Sequence, residues 1–430
     1  MYKKKVLFLI CIMGGCCFFS SYAEVSRQEL ISYSLDYYTL KDKAEQKQQE
    51  EKKIQEVKTV ELKVKQQKRL DKVKGFLDNF HLYAETKVSF NDNIYLTESD
   101  TAEDIITEIT PGIKYENFSK QKRLRILLDG GIRFKNYVQE NQHDTGNPYG
   151  NFVFSYGLGR MSFDLENDYK KDQSEVSQIT TGSQGDLIDY RQNRTKAKVN
   201  LDLNRLAWDF WYSHFFRTYD RGRHQLTGNY DEDFIGIAGA WKVFPKTLIF
   251  LEYDHRWLDY FKGGKLDRNY DMYWIGVKGD IFTKLKGVAK AGYEQGHYED
   301  ESTKSGSTVS LNLSYQASPR ITYDLTIERS IGDAEIDNQV SDGTQKYTLL
   351  CNYLPPFNKK LRLSAGAAYG FNEYESSRED NAYSLKFLSE YELRSWLKLT
   401  GEYEFNKLVS TENAAEYNNN ILSLKLISEF

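Results

Sequence analysis

The chain ends in the segment Asn420-Ile-Leu-Ser-Leu-Lys-Leu-Ile-Ser-Glu-Phe430. In steps of two from Phe430, one face of this segment carries Leu426, Leu424 and Leu422, and only Ser428 interrupts the row. The opposite face is mostly polar. A tilted β-strand of about 9–11 residues is long enough to cross a bilayer, with one face in lipid and the other towards a lumen. The segment therefore predicts a membrane-spanning β-strand.

The terminal aromatic residue gives this strand a further meaning. A strand that ends a chain in this way resembles the C-terminal assembly signal of bacterial outer-membrane β-barrels. The resemblance implies that Leu422, Leu424, Leu426 and Phe430 form this signal. It also implies that outer-membrane lipid and the barrel-assembly machinery are partners, and that the protein lies in the cell outer membrane.

The N-terminus predicts export from the cytoplasm. Lys3–Lys5 form a positive segment, Val6–Phe19 form an apolar core, and the small residues Ser21 and Ala23 precede a cleavage position. These are the three parts of a secretory signal peptide, which we assign to residues 1–23. The apolar core is too short to be a spanning helix.

Cysteine usage agrees with removal of this segment. Cys11, Cys16 and Cys17 lie within it, so the mature chain keeps only Cys351 and can form neither an intrachain disulfide nor a cysteine-based metal site. A weaker alternative is lipoprotein processing, because Gly14-Gly15-Cys16 faintly resembles a lipoprotein cleavage box.

Composition is compatible with a barrel but does not require one. The mean hydropathy is −0.65. After the signal, no run of consecutive apolar residues approaches the length of a spanning helix. Strand alternation hides a lipid-facing band from such averages. Aromatic residues make up 14% of the chain, which fits interfacial girdles, although a tyrosine-rich soluble β-protein would show the same excess.

Residues 24–75 differ from the rest of the chain. Between Lys41 and Lys74 the sequence holds 12 Lys and Arg against 7 Asp and Glu, with no Gly or Pro, and Gly75 stands where a helix would stop. This composition predicts an α-helical extension in the periplasm. It is either a solvated spacer or, less favoured, a helix that docks a partner.

From Phe76 onward the apolar period becomes two. The first strand shows the pattern, with Phe80, Leu82, Ala84, Val88 and Phe90 on one face. Short connectors such as Gly159-Arg160 alternate with long polar ones such as Lys171–Asp189, as periplasmic turns and outer loops do in outer-membrane barrels.

This rhythm predicts an all-β fold for residues 76–430. Unpaired backbone groups are costly in hydrocarbon, so the sheet must close on itself. We expect a closed antiparallel transmembrane β-barrel of about 18 strands, with about 16 as the alternative count.

Several short motifs resemble those of the putative β-barrel porin 2 family. They are Asn91-Asp92-Asn93 followed by a strand containing Thr110-Pro111-Gly112, the turn Val243–Thr247 followed by Leu251-Glu252-Tyr253 and Arg256-Trp257, and Asp189-Tyr190-Arg191. The resemblance spans roughly residues 78–430. It implies an outer-membrane barrel, often associated with exopolysaccharide biosynthesis and export, and it supplies no catalytic residues.

The sequence offers no pattern of a reactive site. The six histidines, His81, His143, His214, His224, His255 and His297, show no metal-ligand spacing. A barrel enzyme would need a serine and a histidine on neighbouring strands, such as His81 with Ser389 or Ser423, and the spacing gives no support for this. We predict no catalytic, cofactor or metal residues and no nucleic-acid partner.

Two sets of side chains are expected to face the lumen. A basic ladder would consist of Arg123, Arg125, Arg133, Arg194, Lys196 and Lys198, and an aromatic saccharide track of Trp211, Phe215, Tyr270 and Trp274. For the ladder, the preferred alternative is solvated residues paired with carboxylates. For the aromatic residues, a slip of one position in strand register would turn the side chains outward, so that they form no track. Residues 76–430 hold 42 Lys and Arg against 52 Asp and Glu, so the barrel as a whole is acidic.

These expectations favour a porin-like channel, or a barrel associated with exopolysaccharide secretion, for hydrophilic or saccharide solutes. A periplasmic polysaccharide-export component would then be a partner. The first alternative is a structural or adaptor barrel with a closed lumen that docks an envelope partner through residues 41–74. A lipid-modifying barrel enzyme is the least favoured hypothesis.

Overall fold

A computed structural model describes Lys65 and residues 79–118, 123–176, 186–220, 229–261, 267–331, 341–374, 377–412 and 415–430. The chain divides into two units, Met1–Lys74 and Gly75–Phe430. The signal peptide expected at 1–23 and the helical extension expected at 24–75 lie outside the described residues, Lys65 apart. No helix in the described ranges is long and apolar enough to cross a membrane.

The second unit consists of eighteen β-strands. They are β1 (Phe80–Asn91), β2 (Asp104–Phe118), β3 (Leu124–Tyr137), β4 (Thr145–Leu158), β5 (Met161–Val176), β6 (Asp186–Leu203), β7 (Leu206–Tyr219), β8 (Tyr230–Phe244), β9 (Thr247–Tyr260), β10 (Arg268–Phe282), β11 (Leu285–Tyr298), β12 (Thr303–Ser318), β13 (Ile321–Ser330), β14 (Ser341–Tyr353), β15 (Leu361–Tyr374), β16 (Glu379–Arg394), β17 (Leu397–Ser410) and β18 (Tyr417–Glu429). A short 3₁₀ helix, Asn141–His143, lies between β3 and β4.

The strands form one closed antiparallel barrel. Each strand pairs with the next along the chain, and β18 pairs with β1. At this closure Tyr83 lies opposite Glu429 and Asn91 lies opposite Ile421. Beyond β18, the backbone N–H of Phe430 donates to the Leu82 carbonyl at 2.8 Å. The closed barrel and the larger of the two expected strand counts are therefore confirmed.

The strands reach further into the outer connections than the sequence suggested. The connector expected at Lys171–Asp189 is shorter, because β5 continues to Val176 and β6 begins at Asp186. Near Lys171 both faces of the strand are polar. Alternation reports a difference between two environments, so it disappears where a strand leaves the membrane and both faces meet water.

The outward face of the barrel is an apolar surface. On β18, Leu422, Leu424 and Leu426 are 60%, 56% and 40% exposed, while Ser423 between them is 5% exposed. An exposed apolar row opposite a less exposed row that holds polar side chains is the arrangement of a strand between lipid and lumen. The facing predicted for the C-terminal strand therefore agrees with these exposures.

Tyrosines mark the outer edge of this apolar surface. Several donate hydrogen bonds from their hydroxyls to polar side chains: Tyr212 to Asp233 at 2.6 Å, Tyr253 to Asp271 and Tyr369 to Asn381 at 2.7 Å each, and Tyr403 to Asn420 at 2.8 Å. Such side chains suit an interface, because the ring lies in an apolar layer and the hydroxyl needs a polar partner.

Candidate functional site

Every second residue of each strand faces the lumen. The two sides of the lumen differ in the size of these side chains. Strands β6–β11 form a bulky wall, whose inward side chains include Trp211, Phe215, Phe250, Tyr270 and Trp274. Strands β12–β17 form a small-residue wall, whose inward side chains include Ser310, Asn312, Thr326, Ser364 and Ser384. The inner surface is thus asymmetric, with the smaller and more hydroxylated side chains on one side.

The four aromatic residues expected in the lumen all belong to the bulky wall. Phe215, Tyr270 and Trp274 are 3%, 0% and 9% exposed. A Cβ added at Gly236 would lie 2.1 Å from a ring atom of Trp211. Similar glycines lie beneath two more rings, Gly292 under Trp274 and Gly296 under Tyr270. The glycines let these rings lie close against the wall instead of projecting into the lumen.

Basic side chains cover the same rings from the lumen side. The guanidinium carbons of Arg194 and Arg256 lie 4.5 Å from the centroid of Phe215 and 4.1 Å from that of Tyr270. The Lys290 amine lies 4.1 Å from the Trp274 centroid. These are cation–π contacts. Because the wall covers one face and a cation the other, the buried rings leave little surface on which a sugar could stack.

The six residues expected to form a basic ladder are divided between two strands. Arg194, Lys196 and Lys198 lie on β6, whereas Arg125 and Arg133 lie on β3 and Arg123 just before it, with β4 and β5 between the two groups. The structure therefore brings the residues together as two separate columns.

Carboxylates accompany both columns. On β5, Asp168, Glu166 and Asp164 lie in register opposite the three basic residues of β6. Lys198 forms an ion pair with Asp209 at 3.6 Å. On β3, Arg133 lies 3.6 Å from Glu108 and 3.3 Å from Asp172. This placement favours the alternative weighed from the sequence, in which the cations are solvated and balanced by acids.

Sequence reasoning missed how the first connection packs at the outer end of the barrel. Ile94 and Tyr95, between β1 and β2, are 1% and 7% exposed and pack with Ile106, Tyr137 and Leu187. The Tyr95 hydroxyl donates to Glu140 at 2.9 Å. The apolar pair Ile94-Tyr95 inside a polar loop was a signal that this loop packs against protein.

Histidines on the outward face pair with acids. His214 Nδ1 lies 3.0 Å from Asp233 and His255 Nδ1 lies 2.7 Å from Asp271. Within the described ranges no serine hydroxyl is hydrogen-bonded to a histidine, and no group of three or more His, Cys, Asp and Glu side chains could hold a metal ion. The enzyme hypothesis thus lacks, in this part of the chain, the Ser–His pair that it requires.

The family model described as Putative beta-barrel porin 2 matches residues 79–430, which is the whole of the barrel. The chain belongs to this family. It is an outer-membrane β-barrel of porin type, as the sequence motifs implied.

Solved outer-membrane proteins show a more distant likeness. The chain is similar to OccK2 (OpdF) of Pseudomonas aeruginosa, with 12% identity, 82% of this chain and 97% of that chain covered, and a TM-score of 0.47. For OpdK of the same organism the values are 9%, 82%, 100% and 0.45. For OccAB3 of Acinetobacter baumannii they are 11%, 82%, 99% and 0.44. No curated protein matches the chain.

The Asn-Asp-Asn motif of this porin-family chain lies at the closure between β1 and β18. Asn419 Nδ2 donates to Asn91 Oδ1 and to the Asn93 carbonyl, both at 2.8 Å. The Asp92 carboxylate accepts from the backbone N–H of Asn420 at 2.7 Å and from its side-chain amide at 2.6 Å. The motif therefore fastens the first strand to the last at the outer end of the barrel.

The glycine of the Thr-Pro-Gly motif makes room for a tyrosine. Gly112 lies opposite Tyr83 in the β1–β2 register, and a Cβ at Gly112 would lie 2.2 Å from Cζ of that ring. The Tyr83 hydroxyl donates to Asp129 at 2.6 Å and is also hydrogen-bonded to Tyr149. One ring thus crosses β2 and connects β1 to β3 and β4.

Proposed function

We propose that this protein is a passive outer-membrane channel for saccharide-type or other small hydrophilic solutes. The observation that carries the proposal is the chemistry of the inner surface. The small-residue wall offers hydroxyl and amide groups, and the bulky wall keeps its aromatic rings against the barrel. Both features favour a wet passage, because a hydrophilic solute gains hydrogen bonds along the wall that replace those it had with water.

Charge pairing on the inner surface favours neutral and weakly charged solutes. Lys278 and Lys198 lie 2.7 and 3.6 Å from the carboxylate of Asp209, and Lys386 lies 2.6 and 3.5 Å from Glu402 and Glu404, so three cations meet three carboxylates. Local balance of this kind lowers the long-range potential that a purely basic ladder would present to an anionic polymer.

Planar bilayers test the channel directly. The purified mature protein should give discrete conductance steps in KCl, and proteoliposomes that contain it should swell in isotonic glucose at a rate that falls with sugar size. A barrel that inserts but neither conducts nor admits glucose would contradict the proposal and favour the adaptor barrel. Deletion of residues 41–74 would then be expected to abolish co-purification of an envelope partner.

A role in exopolysaccharide secretion is the finer form of the proposal. It is supported by the association of this family with exopolysaccharide loci, which also suggests a periplasmic polysaccharide-export component as a partner. In a producing bacterium, deletion of the barrel should leave polymer synthesis intact and move the polymer from the medium to the periplasm. Unchanged polymer in the medium would contradict the secretion role and leave the passive channel standing.

A further inference from the structure

Eight short turns connect the strands at one end of the barrel, and seven of them end in a basic residue. Short turns mark the periplasmic end of outer-membrane barrels. Strands β3, β5, β7, β9, β11, β13 and β15 each follow directly on an exposed arginine or lysine, whereas β17 follows on Trp396. We call these seven basic residues the periplasmic ring: Arg123, Arg160, Arg205, Lys246, Lys284, Arg320 and Lys360.

The residues of the periplasmic ring occupy equivalent positions in the barrel. The backbone carbonyl of each accepts an N–H group at the end of the next even-numbered strand, as Arg160 does from Asp202 and Lys360 does from Glu392, at 2.7–3.0 Å. The strand that follows each ring residue begins with a residue of the outward row, such as Leu206 after Arg205. Alternation therefore places the ring residues on the lumen side, around the periplasmic mouth.

Carboxylates in direct contact with the periplasmic ring are few. Within the described ranges, the periplasmic turns contain no Asp or Glu. Lys246 lies 3.5 Å from Asp280, and no other ring residue has a carboxylate oxygen within 4.0 Å among the described residues. Asp202 is the acid beside Arg160 in the backbone pairing, but its carboxylate lies 2.6 Å from the amine of Lys242. Six of the seven ring cations are thus without an ion pair in this part of the chain.

Charges on the flanking strand residues balance one another. In the three residues of each strand nearest to this end, six basic side chains are opposed by five acidic ones and the terminal carboxylate of Phe430. The basic residues are Arg125, Lys242, Lys286, Arg362, Arg394 and Lys398, and the acidic residues are Glu116, Asp202, Asp280, Glu392 and Glu429. The next two residues of each strand add Lys114, Lys278 and Lys425 against Asp164, Asp209, Asp324 and Glu390. The excess of positive charge is therefore confined to the turns, where Lys359 adds to the ring.

A ring of like charges at a mouth acts on solutes before they enter the lumen. The potentials of the seven cations add, and they reach about 8 Å into a solution of physiological ionic strength. Rings of arginine and lysine side chains select anions in pores. Deeper in the lumen, cations such as Lys198 and Lys278 meet carboxylates, so the attraction is strongest at the periplasmic mouth.

We propose that the periplasmic ring binds anionic saccharides and delivers them into the lumen from the periplasmic side. The carboxylates of a uronic-acid oligomer would pair with several ring cations at once, because the cations recur on every second strand. Its hydroxyl groups would then meet the hydroxylated wall of a lumen whose charges are balanced. A neutral sugar gains nothing from the ring. The inference rests on the proposed function and adds the charge of the solute and the side from which it enters.

Single channels in planar bilayers test the ring with two tetrasaccharides, a galacturonate oligomer and a glucose oligomer. Each is added to one side at a time, with the voltage set to draw anions into the channel from that side, and the concentration that half-blocks the current is measured. Galacturonate should block at a concentration about tenfold lower from one side than from the other, the effect of a few exposed charge pairs. Glucose should block equally from both sides. Equal galacturonate block from both sides would overturn the inference.

Salt gives a second measurement on the same channels. In about 1 M KCl the Debye length falls to about 3 Å, so the side difference for galacturonate should disappear. A side difference that persists in this salt would show that it does not come from the exposed charges of the ring, and would overturn the inference.

A triple variant assigns the effect to the ring. Arg205→Gln combined with Arg320→Gln and Lys360→Gln removes three exposed cations, and it should reduce the side difference for galacturonate to less than about threefold. The glucose block should stay unchanged. An undiminished side difference in this variant would overturn the inference.

The matched control removes the same charge from the other end of the barrel. Arg191, Arg329 and Lys407 are exposed and lie near the outer ends of β6, β13 and β17. Arg191→Gln combined with Arg329→Gln and Lys407→Gln should leave the side difference intact. An equal loss in both triple variants would assign the effect to the net charge of the barrel and overturn the ring as a site.

Failure of the inference and failure of the channel are distinguishable. Conductance without a side difference would overturn the ring and leave the channel intact. If the protein does not conduct, titration calorimetry of the detergent-solubilised barrel with both tetrasaccharides decides the inference, and absence of galacturonate binding there would overturn it. Unchanged galacturonate block in the ring variant, with weaker flotation on phosphatidylglycerol vesicles, would assign the cations to lipid headgroups and also overturn it.

Discussion

The contact between Gly112 and Tyr83 makes a sharp test of how the first strands are held together. The change is Gly112→Ala. The added methyl group would lie 2.2 Å from Cζ and 2.5 Å from the hydroxyl oxygen of Tyr83, so the ring must leave its place on β2. When it leaves, the hydroxyl loses Asp129, to which it donates at 2.6 Å, and its bond with Tyr149.

The size of the effect follows from these two bonds. A hydrogen bond to a carboxylate contributes about 1.5–3 kcal/mol, and one between neutral groups about 1 kcal/mol. Because the ring end can rotate away, little overpacking strain is added. We therefore expect Gly112→Ala to lower the free energy of unfolding by about 2–4 kcal/mol.

The assay is guanidinium unfolding of the barrel in lipid vesicles, followed by tryptophan fluorescence. In a Tyr83→Ala background the same Gly112→Ala change should cost less than about 0.5 kcal/mol, because the clash is gone. Gly401→Ala is the control, since a Cβ at Gly401 meets nothing within 4 Å. An equal cost of Gly112→Ala in both backgrounds would refute the reasoning, because the ring could not then be its cause.

Other changes test the closure, the C-terminal signal and the first outer connections. Asn419→Ala removes two hydrogen bonds to the Asn91–Asn93 segment and should lower the unfolding free energy by about 2 kcal/mol; an unchanged denaturation midpoint would contradict the role of this contact. Phe430→Ala removes a ring stacked on Trp396 at 5.6 Å, and should reduce barrel assembly in cells while leaving refolding in vitro nearly unchanged, as measured by heat-modifiable migration on gels. Asp104→Ala removes a carboxylate that accepts the backbone N–H groups of residues 138–140, so residues 138–144 should lose hydrogen-exchange protection; retained protection would show that this connection is held by other contacts.

Strand number and facing can be read from the sequence because they depend on local properties. Alternation along β18 is enough to predict the row of Leu422, Leu424 and Leu426, which the barrel exposes on its outward face. Lipid imposes this alternation residue by residue. The alternation of short and long connectors alone implies an even number of strands. The ends of strands such as β5 escape this reasoning because both faces are polar there.

The composition of the lumen can be read only in part. Inward positions can be named, but which cation covers which ring depends on the register between strands, as for Arg256 over Tyr270. Sequence spacing therefore predicts the basic ladder and the aromatic track as two separate surfaces. In the structure, Arg194 of the ladder lies over Phe215 of the track. A groove in the inner wall that is lined by residues from Tyr230 to Thr344 also depends on this register, because its sides come from different strands.

The order of residues is enough to predict a membrane barrel with a polar interior, since the two-residue period is set by contact with lipid on one face and water on the other. The contacts that close the barrel and the side chains that its lumen presents become visible only in the folded chain. Asn91 and Asn419 meet across 328 positions of sequence, and the rings of the bulky wall lie beneath cations contributed by other strands. Such contacts depend on distance in space after the strands have paired, and no local pattern in the chain encodes that distance.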